Sequence, residues 1–517
     1  MSRWLLMALL MAGAAKAQER PRVTVEAGVL EGAADPSVRR FLGVPFAAAP
    51  VGRLRWRPPE PAARWRGVRR ADAFGARCMQ EPLFSDMAFR SPPSSEDCLY
   101  LNIWTPADAR PGAKLPVLFY VYGGGFQAGD ASEKRYDGAA LAARGMIVVT
   151  ANHRLNVFGF LAHPGLTAES PRRASGNYGL LDQAATVGWI RRNIARFGGD
   201  PARITVGGES AGSMSVSALM ASPLTRGGIA GAIGQSGALM GALSPMRLAD
   251  AERQGEAFAR ALGVPDLAGL RALPAERLLA AQGRPGGRFG AVIDGHMLAE
   301  PPAATFAAGR QARVPLLAGT NSQEAGYQAV LGESAPTAAN YRTALVRMYG
   351  DRAGRVEALY PAATDAEVIP AATALASDRF LTAATWTWAD LHRRSGAPTY
   401  VYLYTRVRPA RLDAPAPAPT PWGAVHSAEI EYALGNLDVN PAYAWAPEDR
   451  QVSATMGGYW ANFVRTGDPN GAGLPPWPRA VAGAEPVQRQ VIDVRSGAVP
   501  FVEQPRYRQM DALTARQ

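Results

Sequence analysis

Uninterrupted apolar runs separated by glycine turns mark out the framework of this chain. Residues 115–122 are apolar throughout except for tyrosine hydroxyls, the pattern of a strand buried on both faces. Shorter runs at 204–206, 314–318 and 399–405 read as further strands. Residues 213–220, small and apolar, suit a closely packed helix. Strand and helix signals alternate through the first half, which predicts one doubly wound α/β core with a mostly parallel sheet. Residues from about 331 to 398 are mostly helical by pattern and read as an insertion. Length alone would suggest three domains, but no linker divides the chain and no internal repeat is present. The one low-complexity stretch, residues 414–421, is too short to separate domains. At the N-terminus Arg3 precedes an apolar run at 5–15, and Ala15-Lys16-Ala17 fits a small-x-small cleavage site. Residues 1–17 therefore read as a signal peptide, leaving one domain at 18–517 in a secreted or periplasmic protein. No later run is long enough to span a bilayer, so stable membrane insertion is not expected.

The chemistry is announced by Gly208-Glu209-Ser210-Ala211-Gly212, set between the strand at 204–206 and the helix at 213–220. Strand, sharp turn and helix are the context in which G-x-S-x-G becomes a nucleophile elbow, with the serine strained and its hydroxyl exposed above the sheet edge. Alone the pentapeptide is a weak signal; its weight depends on partners. The chain has five histidines, and in this type of hydrolase the order runs serine, acid, histidine, which leaves His296, His392 and His426. His426 follows a late strand and a proline-rich loop, so its ring can swing over the elbow. His392, followed by Arg393 and Arg394, reads as a solvated position on an amphipathic helix, and His296 as part of a turn. For the acid, Glu324 stands on a loop at the end of the strand at 314–318. Asp294 is its rival, also in a turn after an apolar pair, and the residues alone leave both open. The strand at 115–122 ends in Gly123-Gly124-Gly125, which lacks the lysine and Ser/Thr of a P-loop. A loop of unobstructed N–H groups aimed at a developing negative charge is the stronger reading.

These pieces belong to a longer series: Gly43-Val-Pro-Phe46, Leu54-Arg-Trp56, Glu96-Asp-Cys-Leu-Tyr-Leu-Asn102, Tyr122-Gly-Gly-Gly-Phe126, Asn152-His-Arg154, Phe197-Gly-Gly-Asp-Pro201 and Trp460-Ala-Asn-Phe463. In order and almost end to end, the chain resembles the type B carboxylesterases, the α/β-hydrolases that include the cholinesterases. The resemblance implies Ser210 as nucleophile, His426 as base and Glu324 as the orienting acid, with N–H groups of Gly124, Gly125 and Ala211 as the oxyanion hole. It implies a disulfide between Cys78 and Cys98 closing a loop near the active-site mouth. It also implies buried ion pairs Arg55–Glu96 and Arg154–Asp182, and a roof made by the helical insertion. Glu209 would support the site from beside the nucleophile, and Ser236 would support the histidine–glutamate pair. Gln323 departs from relatives that often carry an acidic residue there. The implied reaction is hydrolysis of a small-molecule carboxylic ester through an acyl-enzyme, with no metal or organic cofactor. A lipase or acyltransferase with the same triad, and a non-catalytic adhesion module, are the alternatives.

Composition changes the picture little. The net charge of +11 comes almost wholly from arginines dispersed along the chain, without a basic block or interleaved aromatics, so no nucleic-acid partner is expected. Cysteine use fits an oxidising compartment, where the two cysteines would be joined. Residues 79–97 contain Phe84 and Phe89 but no tryptophan, whereas cholinesterases present a tryptophan face to choline from the corresponding loop. The expected substrates are therefore soluble aryl or short-chain alkyl esters without a quaternary ammonium. Nothing in the sequence sets the oligomeric state.

Overall fold

The computed structural model describes residues 20–264, 266–283, 287–413 and 421–514. The proposed signal peptide at 1–17 and most of the proline-rich stretch at 414–421 lie outside these residues. The centre is one sheet of eleven strands: β1 (Ala33–Ala34), β2 (Val38–Pro45), β3 (Tyr100–Pro106), β4 (Leu115–Val121), β5 (Ile147–Ala151), β6 (Gly199–Glu209), β7 (Gly231–Gln235), β8 (Leu316–Asn321), β9 (Thr399–Tyr404), β10 (Gln488–Ile492) and β11 (Gly497–Pro500), in the order β11-β10-β9-β8-β7-β6-β4-β5-β3-β2-β1. From β10 across to β5 every neighbour is parallel. β11 at one edge and β3, β2 and β1 at the other run antiparallel. This is the expected mostly parallel α/β sheet, and it has the buried central strands such sheets require: every residue of β5, β7 and β8 is buried. Two of the strands start just after a proline, β8 after Pro315 and β9 after Pro398. A proline has no N–H to give a ladder and so marks where pairing starts.

Helices Tyr178–Asn193, Ala211–Ala221, Ala383–Arg394 and Pro447–Thr466 pack on the sheet. One contiguous apolar core runs from Val25 to Tyr507. The stretch between β8 and β9 forms the expected helical insertion, with helices Ala338–Tyr349, Ala353–Leu359 and Asp365–Ser377 around a smaller core of their own that includes Tyr341, Val356 and Leu375. Between Asp365–Ser377 and Ala383–Arg394 the backbone widens into a π-helical turn, Asp378–Thr382. Such a turn bulges a helix outward and is common beside functional sites. Among the described residues no helix is long and apolar enough to cross a membrane.

One expectation fails here. His392 is buried rather than solvated, because it lies one turn beyond Trp388 on the helix face that packs on the core. Its ring sits between the Gln311 amide (3.2 Å) and the Val314 carbonyl (2.8 Å), and burial pulls its pKa down to about 4. It acts as a neutral tether between helix and strand.

Cys78 and Cys98 are joined, closing a loop whose ends are buried. Both ion pairs form. Arg55 Nε donates to Glu96 at 2.6 Å. Arg154 grips Asp182 through Nε and Nη2 at 2.8 and 2.7 Å, with both side chains almost wholly excluded from water. Removing one partner of such a pair strands a buried charge. Asp182→Ala should therefore destabilise the fold by about 3–5 kcal/mol, read as a lowered denaturant midpoint.

Candidate active site

The site starts from a turn. β6 ends at Glu209 and helix Ala211–Ala221 begins at Ala211, leaving Ser210 alone to make the change of direction, at φ 57° and ψ −122°. An L-residue avoids that region, so neighbours must hold it there. The Ser210 N–H donates to the Gln235 carbonyl at 2.8 Å, and the Ser210 carbonyl accepts from Met214 at 2.9 Å. The motif glycines are explained by crowding: a Cβ on Gly212 would stand 2.1 Å from the Val121 carbonyl oxygen. Only glycine lets the helix start this close to β4.

Three distant segments meet over the Ser210 hydroxyl. His426 Nε2 lies 3.0 Å from Ser210 Oγ, and His426 Nδ1 lies 2.7 Å from Glu324 Oε2. Because Glu324 accepts at Nδ1, a proton is held there, and in the neutral ring Nε2 is left as an acceptor for the serine. The other Glu324 oxygen is held by Ser236 Oγ and by the Asn321 N–H, both at 2.6 Å. The loops carrying acid and histidine are stitched together: Gln323 N–H donates to the Ala424 carbonyl (2.9 Å), Gly423 N–H to Gln323 Oε1 (2.9 Å), and Ala424 N–H to Ser322 Oγ (2.9 Å). Gln323, the departure from the resembled pattern, is thus one of the stitches. The other carboxylate, Asp294, is engaged elsewhere: its Oδ1 caps the His296 and Leu298 N–H groups at 3.1 and 2.9 Å.

Glu209 is buried directly under the imidazole, with Oε1 3.2 Å from His426 Nε2 and without a hydrogen-bond partner among the described residues. Burial pushes its carboxyl up to about 8, against the pull of His426. Burial pulls the His426 imidazole down, but the Glu209 and Glu324 carboxylates outweigh it and hold the ring above its ordinary value, at about 9. Glu209 and His426 therefore compete for one proton.

Three further groups stand at the site that no motif marks. Glu429, fully buried, accepts from Asn321 Nδ2 at 2.6 Å and from Gln235 Nε2 at 3.1 Å, and burial raises its pKa. Phe380, from the π-helical turn, sets its ring edge-on to His426 with centroids 5.5 Å apart. Arg135 Nη1 donates to Ser427 Oγ at 3.2 Å and also binds Asp86 of the disulfide loop at 3.0 Å. Of these only Glu429, three residues beyond His426, lay near a motif.

The glycine loop after β4 runs against the nucleophile: a Cβ on Gly123 would stand 2.9 Å from Ser210 Cβ. Among the described residues the N–H groups of Gly124, Gly125 and Ala211 meet no intramolecular acceptor. Ala211 N–H also opens an eleven-residue helix, where a negative charge is favoured. The cavity above has a volume of about 610 Å³ and is walled mainly by apolar side chains, among them Phe126, Phe160, Met214, Leu239 and Phe289, with exposed Phe84 and, against the glycine loop, Met87 from the disulfide loop. Among the described residues no group of three or more His, Cys, Asp or Glu side chains is disposed to hold a metal.

A sequence model of the carboxylesterase family matches residues 19–508. The chain is 37% identical over 477 residues to fumonisin B1 esterase of Sphingopyxis macrogoltabida, covering 88% of this chain and 83% of that one. It is 35% identical over 466 residues to para-nitrobenzyl esterase of Bacillus subtilis, covering 87% and 90%. A solved structure of PNB esterase superposes with a TM-score of 0.80 at 31% identity, over 96% of this chain and all of that one. With likeness of this extent in both sequence and fold, the chain belongs to the carboxylesterase family and is a serine hydrolase of carboxylic esters.

Proposed function

We propose that Ser210 is the nucleophile, His426 the general base and Glu324 the group that fixes the histidine tautomer. The observation that carries this reading is the unbroken chain Ser210–His426–Glu324, at 3.0 and 2.7 Å, with Ser210 and His426 lining the cavity. His426 Nε2 takes the Ser210 proton as Oγ attacks the ester carbonyl. The carbonyl electron pair moves onto oxygen, which the Gly124, Gly125 and Ala211 N–H groups receive. Collapse expels the alcohol with the proton from Nε2 and leaves an acyl ester on Ser210. Water then repeats the sequence and releases the acid. Ser236 serves by holding Glu324, and Glu209 by facing the imidazolium as it forms.

Soluble aryl and short-chain alkyl esters are the proposed substrates, with acyl chains of about two to eight carbons. An apolar cavity of about 610 Å³ supports this, as does a disulfide loop that offers Phe84 rather than a tryptophan to its lining. The likeness to a para-nitrobenzyl esterase is in keeping with an aryl group in the alcohol part. Residues 1–17 are proposed as an export signal that leaves one catalytic unit at 18–517 in a secreted or periplasmic enzyme, a reading favoured by the Cys78–Cys98 disulfide and the contiguous core.

Ser210→Ala and His426→Ala should each lower kcat by roughly 10⁴–10⁶-fold, and the double variant by little more. Glu324→Gln should cost less than either, while Asp294→Asn should leave kcat near wild type. Wild-type turnover in Ser210→Ala would overturn the assignment.

The pH profile of kcat/KM should rise through the titration of the Glu209–His426 pair, above the ordinary histidine range. Glu209→Gln removes a negative neighbour that favours the imidazolium, so the acid limb should move to lower pH. A limb that stays put would mean Glu209 does not act on the histidine.

Initial rates should favour 4-nitrophenyl butyrate over the palmitate ester, without activation at a lipid–water interface. Butyrylcholine should hold no advantage over its neutral isostere; a preference of about tenfold or more would contradict the substrate class.

A further inference from the structure

Arg288 stands at the wall of the catalytic cavity, and the chain that carries it is fixed from two sides. Gln254 Nε2, from helix Leu248–Ala261, donates to the Arg288 carbonyl at 2.8 Å. Gln127 Nε2, from the glycine loop that faces Ser210, donates to the Phe289 carbonyl at 2.8 Å. The Phe289 side chain is buried edge-on against Phe258, with centroids 5.2 Å apart. From this anchored base the Arg288 guanidinium reaches back over the glycine loop, with Nη2 3.4 Å from where a Cβ on Gly125 would stand.

The other charges on the cavity wall are already answered. Arg135 is paired with Glu133 and, at 3.0 Å, with Asp86, which accounts for Asp86 as well. Glu209 faces His426 at 3.2 Å. Arg288 has no carboxylate partner among the described residues. Arg288 is itself exposed to solvent, but its guanidinium lies against the glycine loop that faces the nucleophile, on the wall of a cavity whose remaining lining is largely apolar, as a donor fork without a carboxylate acceptor among the described residues. A guanidinium presents paired N–H groups that match a carboxylate, and the match is strongest where apolar walls thin the surrounding water.

We infer that Arg288 determines specificity by selecting esters that carry an anionic group, a carboxylate above all, a short distance from the carbonyl that Ser210 attacks. The inference rests on the Ser210 reading above and narrows it: among soluble esters, those of a dicarboxylic acid or of an acidic alcohol are favoured. The same positive charge repels a quaternary ammonium, adding a second reason for choline esters to be poor substrates. The carboxylate can belong to the acyl part or to the alcohol part, and Arg288 lies near enough to the glycine loop to serve either.

The test compares the wild-type enzyme with Arg288→Gln and Arg288→Lys on matched ester pairs. 4-Nitrophenyl hydrogen glutarate against 4-nitrophenyl pentanoate places the charge in the acyl part. 3-Carboxy-4-nitrophenyl acetate against 4-nitrophenyl acetate places it in the alcohol part. Arg288→Gln should lower kcat/KM for at least one anionic ester by about 10–100-fold, mainly through KM, while both neutral esters stay within about twofold. Arg288→Lys should retain part of the preference. Raising the salt concentration should weaken turnover of the anionic ester by wild type and not by Arg288→Gln. Which pair responds identifies the part of the ester that carries the charge. Equal losses on charged and neutral esters, or no loss on either, would overturn the inference. Failure of the wild type to hydrolyse any of the four esters would instead count against the Ser210 reading.

Discussion

The close approach of helix Ala211–Ala221 to β4 is the constraint from which the site follows. Gly212 brings the helix to a distance at which any Cβ would collide with the Val121 carbonyl, so the chain leaving β6 has a single residue in which to turn. That residue is forced to φ 57°, and the strain is offset by backbone hydrogen bonds on both sides of it. Everything else is aimed at the point where the Ser210 side chain is thereby held. β8 delivers Glu324, β7 delivers Ser236, the loop after β9 delivers His426, and the loop after β4 brings its amides. These strands are parallel neighbours, so their C-terminal ends open on the same edge of the sheet, where such folds place their ligands.

Around one imidazole the fold gathers three buried carboxyl groups, Glu209, Glu324 and Glu429. Each is treated differently. Glu324 receives a hydroxyl and an amide besides the histidine, Glu429 is engaged by two side-chain amides, and Glu209 has an oxygen with no hydrogen-bond partner among the described residues. Burial in a low-dielectric interior penalises an extra negative charge, so Glu209 and Glu429 are both pushed toward their protonated forms. The result is an imidazole surrounded by carboxyl oxygens, an environment that favours its positively charged form. The Arg135–Glu133–Asp86 cluster lies just outside this group and joins the disulfide loop to Ser427, immediately after the histidine.

Much of this was legible in the amino-acid order, for identifiable reasons. The elbow could be read because its glycines and flanking strand and helix are local. The histidine could be reached by elimination, since few were present and chain order restricted the choice. Glu324 and Asp294 could not be separated from the residues alone, because both are turn carboxylates after apolar strands; the difference is that Glu324 follows a strand of the central sheet, whereas Asp294 follows a short strand paired outside it. The arginines after His392 suggest water, yet Arg393 is itself buried against Asp390 and Glu485, so the pattern of charges misleads there. Phe380 and Arg288 carry no local signature at all. One depends on a backbone widening that no residue pattern announces, and the other on a contact between segments more than a hundred residues apart in the chain.

The spacing of the three central side chains has a consequence for the life of the molecule. Glu324 and His426 are 102 residues apart, and Ser210 and His426 are 216 apart. A chain emerging from its N-terminus can therefore complete the glycine loop, the elbow and β7 long before the histidine exists. Ser210 and Glu324 both precede the histidine that joins them. Only when β9 has paired with β8, and the loop beyond it has been stitched to residues 321–323, does the serine acquire its partner. The constellation is thus a product of the completed sheet edge rather than of any one segment, and its integrity depends on the pairing of β8 with β9.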